Sequence, residues 1–173
     1  MRKQLAVTGT LLLFLGVAIG YAASKKVDAS LYRSKSKQEA AKALLEQARV
    51  QAGKGSWERI AVGRVYYLGG MKPEGQAIFD EVLAKKQELS DIFRIARVYR
   101  EAGEWPKAKE MFDKYATSNA KDDKGLAEIG AYYMLNGDRA GAEDLFDRSF
   151  RLASELWATV AAAGSYLNVP PQE

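Results

Sequence analysis

The feature that most constrains the fold is a residue pattern that recurs at a fixed spacing between residues 89 and 156. Small, aromatic, glycine, alanine and phenylalanine residues return in the same order 34 positions later. A looser copy lies 33 positions upstream. Self-similarity at this period is typical of stacked pairs of helices, so it predicts an all-α fold. The three copies are Gly63, Tyr66, Gly70, Gly75 and Phe79; Ile95, Ala96, Tyr99, Gly103, Ala108 and Phe112; and Ile129, Gly130, Tyr133, Gly137, Ala142 and Phe146.

The residue types in the pattern follow from the way two helices pack. Ile92, Ile95 and Tyr99 recur at three- and four-residue spacings, which places them on one face of a first helix. Gly103 can adopt the left-handed conformation that ends that helix, and Pro106 falls just inside the second helix, where a missing N–H costs little. Each pair buries too little apolar surface alone, so neighbouring pairs are expected to stack into a short α-solenoid. The alternative is an ordinary helical bundle with chance similarity.

Both ends of the repeat region are expected to hold half-repeats. Ser36 and Glu39 form a capping-box pattern that starts a helix. The apolar positions of this helix match those of a later second helix: Ala41, Leu45 and Ala48 correspond to Ala108, Phe112 and Tyr115. At the other end, Gly164 lies 34 residues beyond Gly130, which predicts a first helix without its partner.

These signals set the expected organisation of the chain. Residues 1–23 are a signal peptide or membrane anchor, 24–35 a basic linker, 36–168 the helical repeat domain and 169–173 a tail. Within the repeat domain we expect a cap helix at 36–52, repeats at 56–88, 89–122 and 123–156, and an end helix at 157–168.

The N-terminal segment has the pattern of an export signal. Arg2 and Lys3 precede an apolar run at 5–23, and small residues follow that run. The run is nearly as long as the roughly 20 residues that span a bilayer, so a retained anchor is the alternative. Either form predicts a periplasmic or cell-envelope location, with membrane contact only through this segment if it is not cleaved.

Composition argues against many classes of enzyme. The chain has no histidine and no cysteine, which removes the commonest acid–base group near neutral pH and the usual metal-binding side chains. We therefore expect no catalytic, cofactor-binding or metal-binding residues. The net charge is +5 over residues 24–54 and −3 over residues 55–173. The acidic repeat region disfavours nucleic acid as a partner.

The repeated run of small residue, tyrosine, glycine, alanine and phenylalanine resembles the tetratricopeptide repeat family, over two full repeats and a third looser one. The resemblance implies a non-enzymatic module that binds a peptide or a protein. In this family, first helices line a concave groove and contact the ligand. Carried over, the resemblance places these residues in the groove: Trp57, Arg64, Tyr67, Phe93, Arg94, Arg97, Arg100, Lys124, Glu128, Ala131 and Met134.

Two interpretations of the groove charges remain open. Arg94, Arg97 and Arg100 share one helical face and suit an acidic peptide, because a guanidinium pairs with carboxylates in a bidentate manner. Alternatively, Asp91, Glu101 and Glu128 neutralise these arginines and leave a solvated face. Among the tryptophans, Trp57 is expected in the groove, whereas Trp105 and Trp157 are expected to cover edges of the core.

Two functions follow. The first is a scaffold or adaptor that grips a protein segment in the groove. The second is a homo-oligomeric subunit whose end helix, 156–167, packs against another copy of the chain.

Overall fold

The computed structural model describes residues 27–85 and 88–172 and divides the chain into two compact units, at Gly53 and Lys54. The predicted signal or anchor segment at 1–23 lies outside the described residues. None of the helices in the described ranges is long and apolar enough to cross a membrane.

The described part of the first unit is a 3₁₀ turn, Ala29–Leu31, followed by helix α1, Lys37–Ala52. The predicted capping box is confirmed: the Glu39 N–H donates to Ser36 Oγ at 3.3 Å, and the Ser36 N–H donates to Glu39 Oε2 at 3.0 Å. These two bonds satisfy backbone donors that the first turn of a helix leaves unpaired. The helix ends at Gly53, whose φ is +55°.

The second unit contains only helices among its described residues. They pack as sequential antiparallel pairs, α2 with α3, α4 with α5 and α6 with α7, and α8 packs mainly against α6. The predicted all-α class and the pairing of helices are confirmed for this unit. The bounds are α2 Ser56–Leu68, α3 Lys72–Leu83, α4 Leu89–Glu101, α5 Trp105–Ser118, α6 Asp123–Leu135, α7 Arg139–Leu152 and α8 Leu156–Tyr166.

The same glycine–phenylalanine contact occurs inside two of the helix pairs. A Cβ added to Gly63 would lie 2.6 Å from Cε1 of Phe79, and a Cβ added to Gly130 would lie 2.6 Å from Cε1 of Phe146. Each phenylalanine is therefore packed directly against the backbone of the first helix. The spacing is 16 residues in both cases, so the repeat in the sequence is a repeat of a packing contact.

The turns between paired helices also repeat. Gly70, Gly103 and Gly137 have φ values of +87°, +75° and +85°, the left-handed region that favours glycine. Each turn is closed by a bond from the residue after the glycine to a carbonyl five residues earlier. These bonds are Met71 N–H to Tyr66 O at 2.9 Å, Glu104 N–H to Tyr99 O at 2.8 Å and Asp138 N–H to Tyr133 O at 3.0 Å.

Equivalent tyrosines and alanines have equivalent surroundings. Tyr99 and Tyr133 are each 5% exposed, and Ala108 and Ala142 are fully buried. Both tyrosine hydroxyls donate to side chains, Tyr99 to Gln76 and Tyr133 to Asp113. A chance similarity within an ordinary bundle does not produce these matched environments.

Successive first helices are not evenly spaced. Cα atoms of α2 and α4, and of α6 and α8, come within 8 Å of each other, whereas none of α4 comes within 8 Å of α6 in the described structure. The α4–α6 gap is filled by large side chains, above all Tyr132, which is fully buried and stacks on Phe112 with ring centroids 5.2 Å apart. Small side chains lie between α6 and α8, including the buried Ala158 and Ala162.

Candidate binding groove

A cleft of about 150 Å³ lies between α2 and α4, and we call it the Trp57 cleft. It brings together four of the residues predicted for the groove: Trp57, Arg64, Arg94 and Arg97. The other residues of its lining are Ile60, Ala61, Val98 and Glu101. The first helices of two neighbouring pairs therefore form a concave, arginine-rich surface.

Arg94 differs from the other arginines of this cleft. Its guanidinium carbon lies 3.6 Å from the centroid of the Trp57 ring, a close cation–π contact. Trp57 is 55% exposed. Among the described residues, Arg94 has no ion pair and no side-chain hydrogen bond, and its Nε is buried without a partner. The pair thus consists of an exposed aromatic ring and a guanidinium group that forms no ion pair within the part of the chain that the structure describes.

Arg64 and Arg97 are neutralised by carboxylates across helix boundaries. Arg64 Nε donates to Glu101 Oε2 at 2.7 Å. Arg97 makes a bidentate pair with Glu128 on α6, with Nε to Oε1 at 2.7 Å and Nη2 to Oε2 at 2.6 Å. Such bidentate pairs are geometrically specific. The guanidinium groups of Arg64 and Arg97 therefore already have carboxylate partners within the fold. For Arg97, the self-neutralised interpretation matches the structure, and its acid is Glu128 rather than Glu101.

The Arg97–Glu128 pair continues into the core. Tyr132 donates its hydroxyl to Glu128 Oε1 at 2.6 Å, and the Arg100 guanidinium lies 4.4 Å from the Tyr132 ring centroid. Burial, together with the nearby Glu128 charge, raises the pKa of Tyr132 well above its ordinary value. This keeps the phenol protonated and donating. The network therefore joins α4 to α6 across the gap between them.

Asp91 does not pair with Arg94 as the alternative interpretation expected. It is 2% exposed and lines a different cleft, together with Arg59 and Lys85. Its Oδ1 has no hydrogen-bond partner in the described structure. The carboxylate that the sequence offered to Arg94 therefore lies in another cleft, and Arg94 has no ion pair among the described residues.

Several residues predicted for the groove are structural instead. Tyr67, Phe93 and Ala131 are 2%, 8% and 0% exposed, so placing them in a ligand-facing groove was wrong. Tyr67 donates its hydroxyl to Glu104 at 2.7 Å, and the Phe93 ring packs on Tyr115 with centroids 4.6 Å apart. Met134 is partly buried against the core. A helix that contacts neighbours on two sides buries a wider stripe of its surface. The helical periodicity therefore assigned to the groove residues that lie within this buried stripe.

A second and larger cleft, of about 400 Å³, lies between α6, α8 and the residues after α8. Lys124 and Glu128 line it from α6, and Lys124 also pairs with Glu155 at 3.3 Å. Sequence reasoning missed the apolar residues of this cleft, although the pair of prolines after the end helix was a signal for an extended segment. The lining is completed by Trp157, Val160, Ala161, Gly164, Val169, Pro170, Pro171 and Gln172.

The tryptophans divide differently from the expectation. Trp105 covers an edge of the core, with its ring 5.3 Å from Tyr133, as expected. Trp157 is 61% exposed, so the prediction that it covers a core edge was wrong. Trp157 instead lines the cleft between α6 and α8, together with Lys124 and Glu128.

Comparison with known families finds a match within the helical repeat region. The tetratricopeptide repeat family model matches residues 92–121, which begin in α4 and run through α5. Residues 92–121 are thus similar to a tetratricopeptide repeat. No curated protein and no solved structure matches the chain.

Tetratricopeptide repeats are non-catalytic and mediate protein–protein interaction. Arg94 lies in the first helix of the matched tetratricopeptide repeat, and Trp57 lies in the first helix of the preceding pair. No cluster of acidic side chains suited to a metal ion occurs in the ranges that the structure describes.

Proposed function

We propose that the protein is a non-catalytic scaffold or adaptor of the bacterial cell envelope that binds an acidic segment of a partner protein in the Trp57 cleft. The observation that carries this proposal is the Arg94 guanidinium on the exposed face of Trp57, without an acidic partner among the described residues. The ligand supplies the carboxylate that pairs with Arg94.

The size of the cleft favours an extended segment over a small molecule. Ligand pockets for small molecules usually enclose about 300–1,000 Å³, whereas this cleft encloses about 150 Å³. It accommodates one or two side chains of a chain that continues along the groove. A glutamate or aspartate on Arg94, beside an apolar side chain on Trp57, uses both parts of the surface.

Binding of matched peptides tests this chemistry. The probes are fluorescein-labelled octapeptides of alternating proline with glutamate, glutamine or lysine, which share an extended backbone. We expect the glutamate peptide alone to bind, and Arg94→Ala or Trp57→Ala to raise its Kd at least about tenfold, or 1.4 kcal/mol. Arg139→Ala is the control, because it removes the same charge at an exposed position of α7 that is paired with Glu143.

Arg94 rather than Arg97 is the informative substitution. Replacing Arg97 leaves Glu128 without its bidentate partner and so perturbs the fold as well as the surface. Equal affinity for the glutamate and glutamine peptides, or an unchanged affinity in Arg94→Ala, would contradict the proposed ligand chemistry.

A photo-crosslinking residue at position 57 tests the scaffold role in cells. We expect it to capture one partner protein in stoichiometric yield, and Arg94→Ala to abolish the capture. The same crosslinker at the exposed Ala140 on α7 is the control. Crosslinks of equal strength at positions 57 and 140 would argue against a specific groove.

We propose further that residues 1–23 export the chain or anchor it, so that the repeats lie outside the cytoplasmic membrane. The support is the sequence pattern of a charged start, an apolar run and small residues. Intact mass distinguishes the two forms, because cleavage after Ala22 or Ala23 leaves Ala23 or Ser24 at the N-terminus. Recovery of the uncleaved chain in the cytosolic fraction would refute both.

A further inference from the structure

One face of α8 is exposed, although the residues at the equivalent repeat positions on α6 lie in a contact between helices. Leu126 and Tyr133 on α6 are 0% and 5% exposed, and the Tyr133 ring contacts Trp105 of α5 and Gly141 of α7. The residues 34 positions later, Val160 and Leu167, are 51% and 76% exposed. The described residues that follow α8, 167–172, include Pro170 and Pro171 and form no second helix. We call the surface defined by Val160, Gly164 and Leu167 the α8 face; Val169 lies against Gly164, whereas Val160 and Leu167 are exposed.

The complete helix pairs show which residues of a second helix cover the equivalent face of a first helix. In α5 and α7 the covering residues are an alanine and, four positions later, a phenylalanine, and these two residues are at most 4% exposed. Helix α1 has the same spacing, with Ala41 followed by Leu45 and Ala48. It is a 16-residue helix with a capping box at its start, so it has the length and the apolar pattern of a second helix. It belongs to a different compact unit from α8.

Charge favours the meeting of these two helices from different copies. Residues 24–54, which include α1, carry eight basic and three acidic side chains. Residues 138–173, which include α7 and α8, carry three basic and six acidic side chains. The α8 face itself has no charged side chain between Leu156 and Leu167. The two ends thus carry opposite net charges, which steer association and disfavour a meeting of two acidic ends.

We propose that the protein associates with itself head to tail, with α1 of one copy completing the helix pair that α8 of the next copy begins. Such a contact joins two different surfaces, so it leaves one free α1 and one free α8 at the ends of every assembly. Assemblies therefore grow beyond a dimer as concentration rises. Leu45 is 8% exposed in the single chain, so its present cover is exchanged for the α8 face of the neighbour.

Two exposed positions allow each surface to be blocked without disturbing the fold. Ala41→Glu places a charge on α1, and Val160→Glu places one on the α8 face. We expect sedimentation of the full chain to show concentration-dependent assembly, and either variant alone to raise the apparent dissociation constant at least about tenfold, because a buried unpaired charge is costly. The controls are Val50→Glu, on the opposite side of α1, and Thr159→Glu, on the flank of α8; both should assemble like the original chain.

Mixing the two blocked variants gives the decisive result. Ala41→Glu keeps an intact α8 face and Val160→Glu keeps an intact α1, so the mixture should form a one-to-one dimer and nothing larger. A symmetric contact of α8 with α8 predicts instead that Ala41→Glu assembles alone and that mixing adds nothing. That outcome, a chain that stays monomeric at every concentration, or an assembly that both variants leave unchanged would overturn the proposal.

The Trp57 cleft provides an independent readout. Neither Ala41→Glu nor Val160→Glu changes a residue of that cleft, so both should bind the glutamate peptide as the original chain does. Circular dichroism of the two variants should match the original chain. Failure of head-to-tail assembly is therefore distinguishable from failure of the proposed peptide binding.

Discussion

The junction between α4 and α6 and the junction between α6 and α8 occupy equivalent places in the repeat, yet they are built in opposite ways. At the first, the Arg97–Glu128 pair and the buried Tyr132 lie between helices whose Cα atoms stay more than 8 Å apart in the described structure. At the second, Ala158 and Ala162 allow the helices to come within that distance. The period of the sequence is the same, but the side chains at the junction set the spacing.

The difference determines where a ligand can bind. The large side chains at the α4–α6 junction fill the groove at its centre, so the predicted continuous surface becomes two clefts on either side of it. The Trp57 cleft lies between α2 and α4 and has the Arg94 charge. The cleft beside α8 is larger and mostly apolar, with Val160 and Val169 in its lining.

The largest expected effect tests the bulky junction. Tyr132→Ala removes a fully buried aromatic ring and its hydrogen bond to Glu128, and should lower the free energy of unfolding by about 3–5 kcal/mol. Tyr166 is the matched control, since it lies 34 residues later and is 49% exposed. Tyr166→Ala should cost about 1 kcal/mol or less. Urea denaturation followed by circular dichroism measures both, and equal losses would mean that the two junctions do not differ.

The close junction should be sensitive to added volume. Ala162 is 6% exposed between α6 and α8, so Ala162→Leu should destabilise the fold by about 1–3 kcal/mol through overpacking. Ala163→Leu, one residue away on the exposed side of the same helix, should change stability by no more than about 0.5 kcal/mol. A neutral Ala162→Leu variant would show that small residues do not set this spacing.

A third prediction concerns the junction between the first two helix pairs, where Glu104 at the start of α5 pairs with Lys72 of α3 and accepts a hydrogen bond from Tyr67 of α2. Lys107 at 2.8 Å, Lys72 at 2.6 Å and the Tyr67 hydroxyl at 2.7 Å lower the pKa of Glu104 from its ordinary 4.5 to about 2. A lowered folded-state pKa means that the stabilisation is complete above pH 4.5 and is lost as the pH falls from 4.5 through about 2.

With allowance for solvent screening, this loss should be about 1–2 kcal/mol. Thermal melts between pH 2 and 6 measure it, and Glu104→Gln should flatten that part of the profile. Glu110→Gln, an exposed carboxylate of α5, is the control and should leave the profile steep. If both variants give the original profile, Glu104 does not stabilise this junction.

The smallest expected effect is the coupling of Arg97 with Glu128. A double-mutant cycle with alanine at both positions should give a coupling energy of about 1 kcal/mol, because the pair is bidentate and mostly shielded from solvent. Arg139 and Glu143 provide the comparison: they form an exposed pair within α7 and should couple more weakly than Arg97 with Glu128, because solvent screens exposed ion pairs. A coupling near zero at Arg97–Glu128 would leave Tyr132 as the main determinant of the wide junction.

Much of the fold was predictable from the sequence because its signals are local. Glycine at Gly70, Gly103 and Gly137 meets a backbone requirement that few other residues meet, and the spacing of Gly63 to Phe79 and Gly130 to Phe146 encodes one packing contact. The capping box at Ser36 is equally local. Such features depend on neighbours within one helix pair, so a single sequence reveals them.

The candidate site was less predictable because it depends on choices among competing partners. The sequence offered Arg94, Arg97 and Arg100 several acids within reach. It did not determine that Glu128 would pair with Arg97, that Glu101 would pair with Arg64 and that Asp91 would be buried elsewhere. Tyr67 and Phe93 were assigned to the groove for the same reason, since a helical face shows its direction but not how wide a stripe its neighbours cover.

The sequence by itself determined the helices, their turns and the order in which they pair, because these depend on residue spacing within about 34 positions. Only the tertiary structure determined the distance between neighbouring helix pairs. Only the tertiary structure showed that Arg94 has no acidic partner among the described residues. Both are set by the volumes and charges of side chains that meet across pairs, such as Tyr132 against Phe112 and Arg97 against Glu128. The repeat period does not determine which of these side chains come into contact.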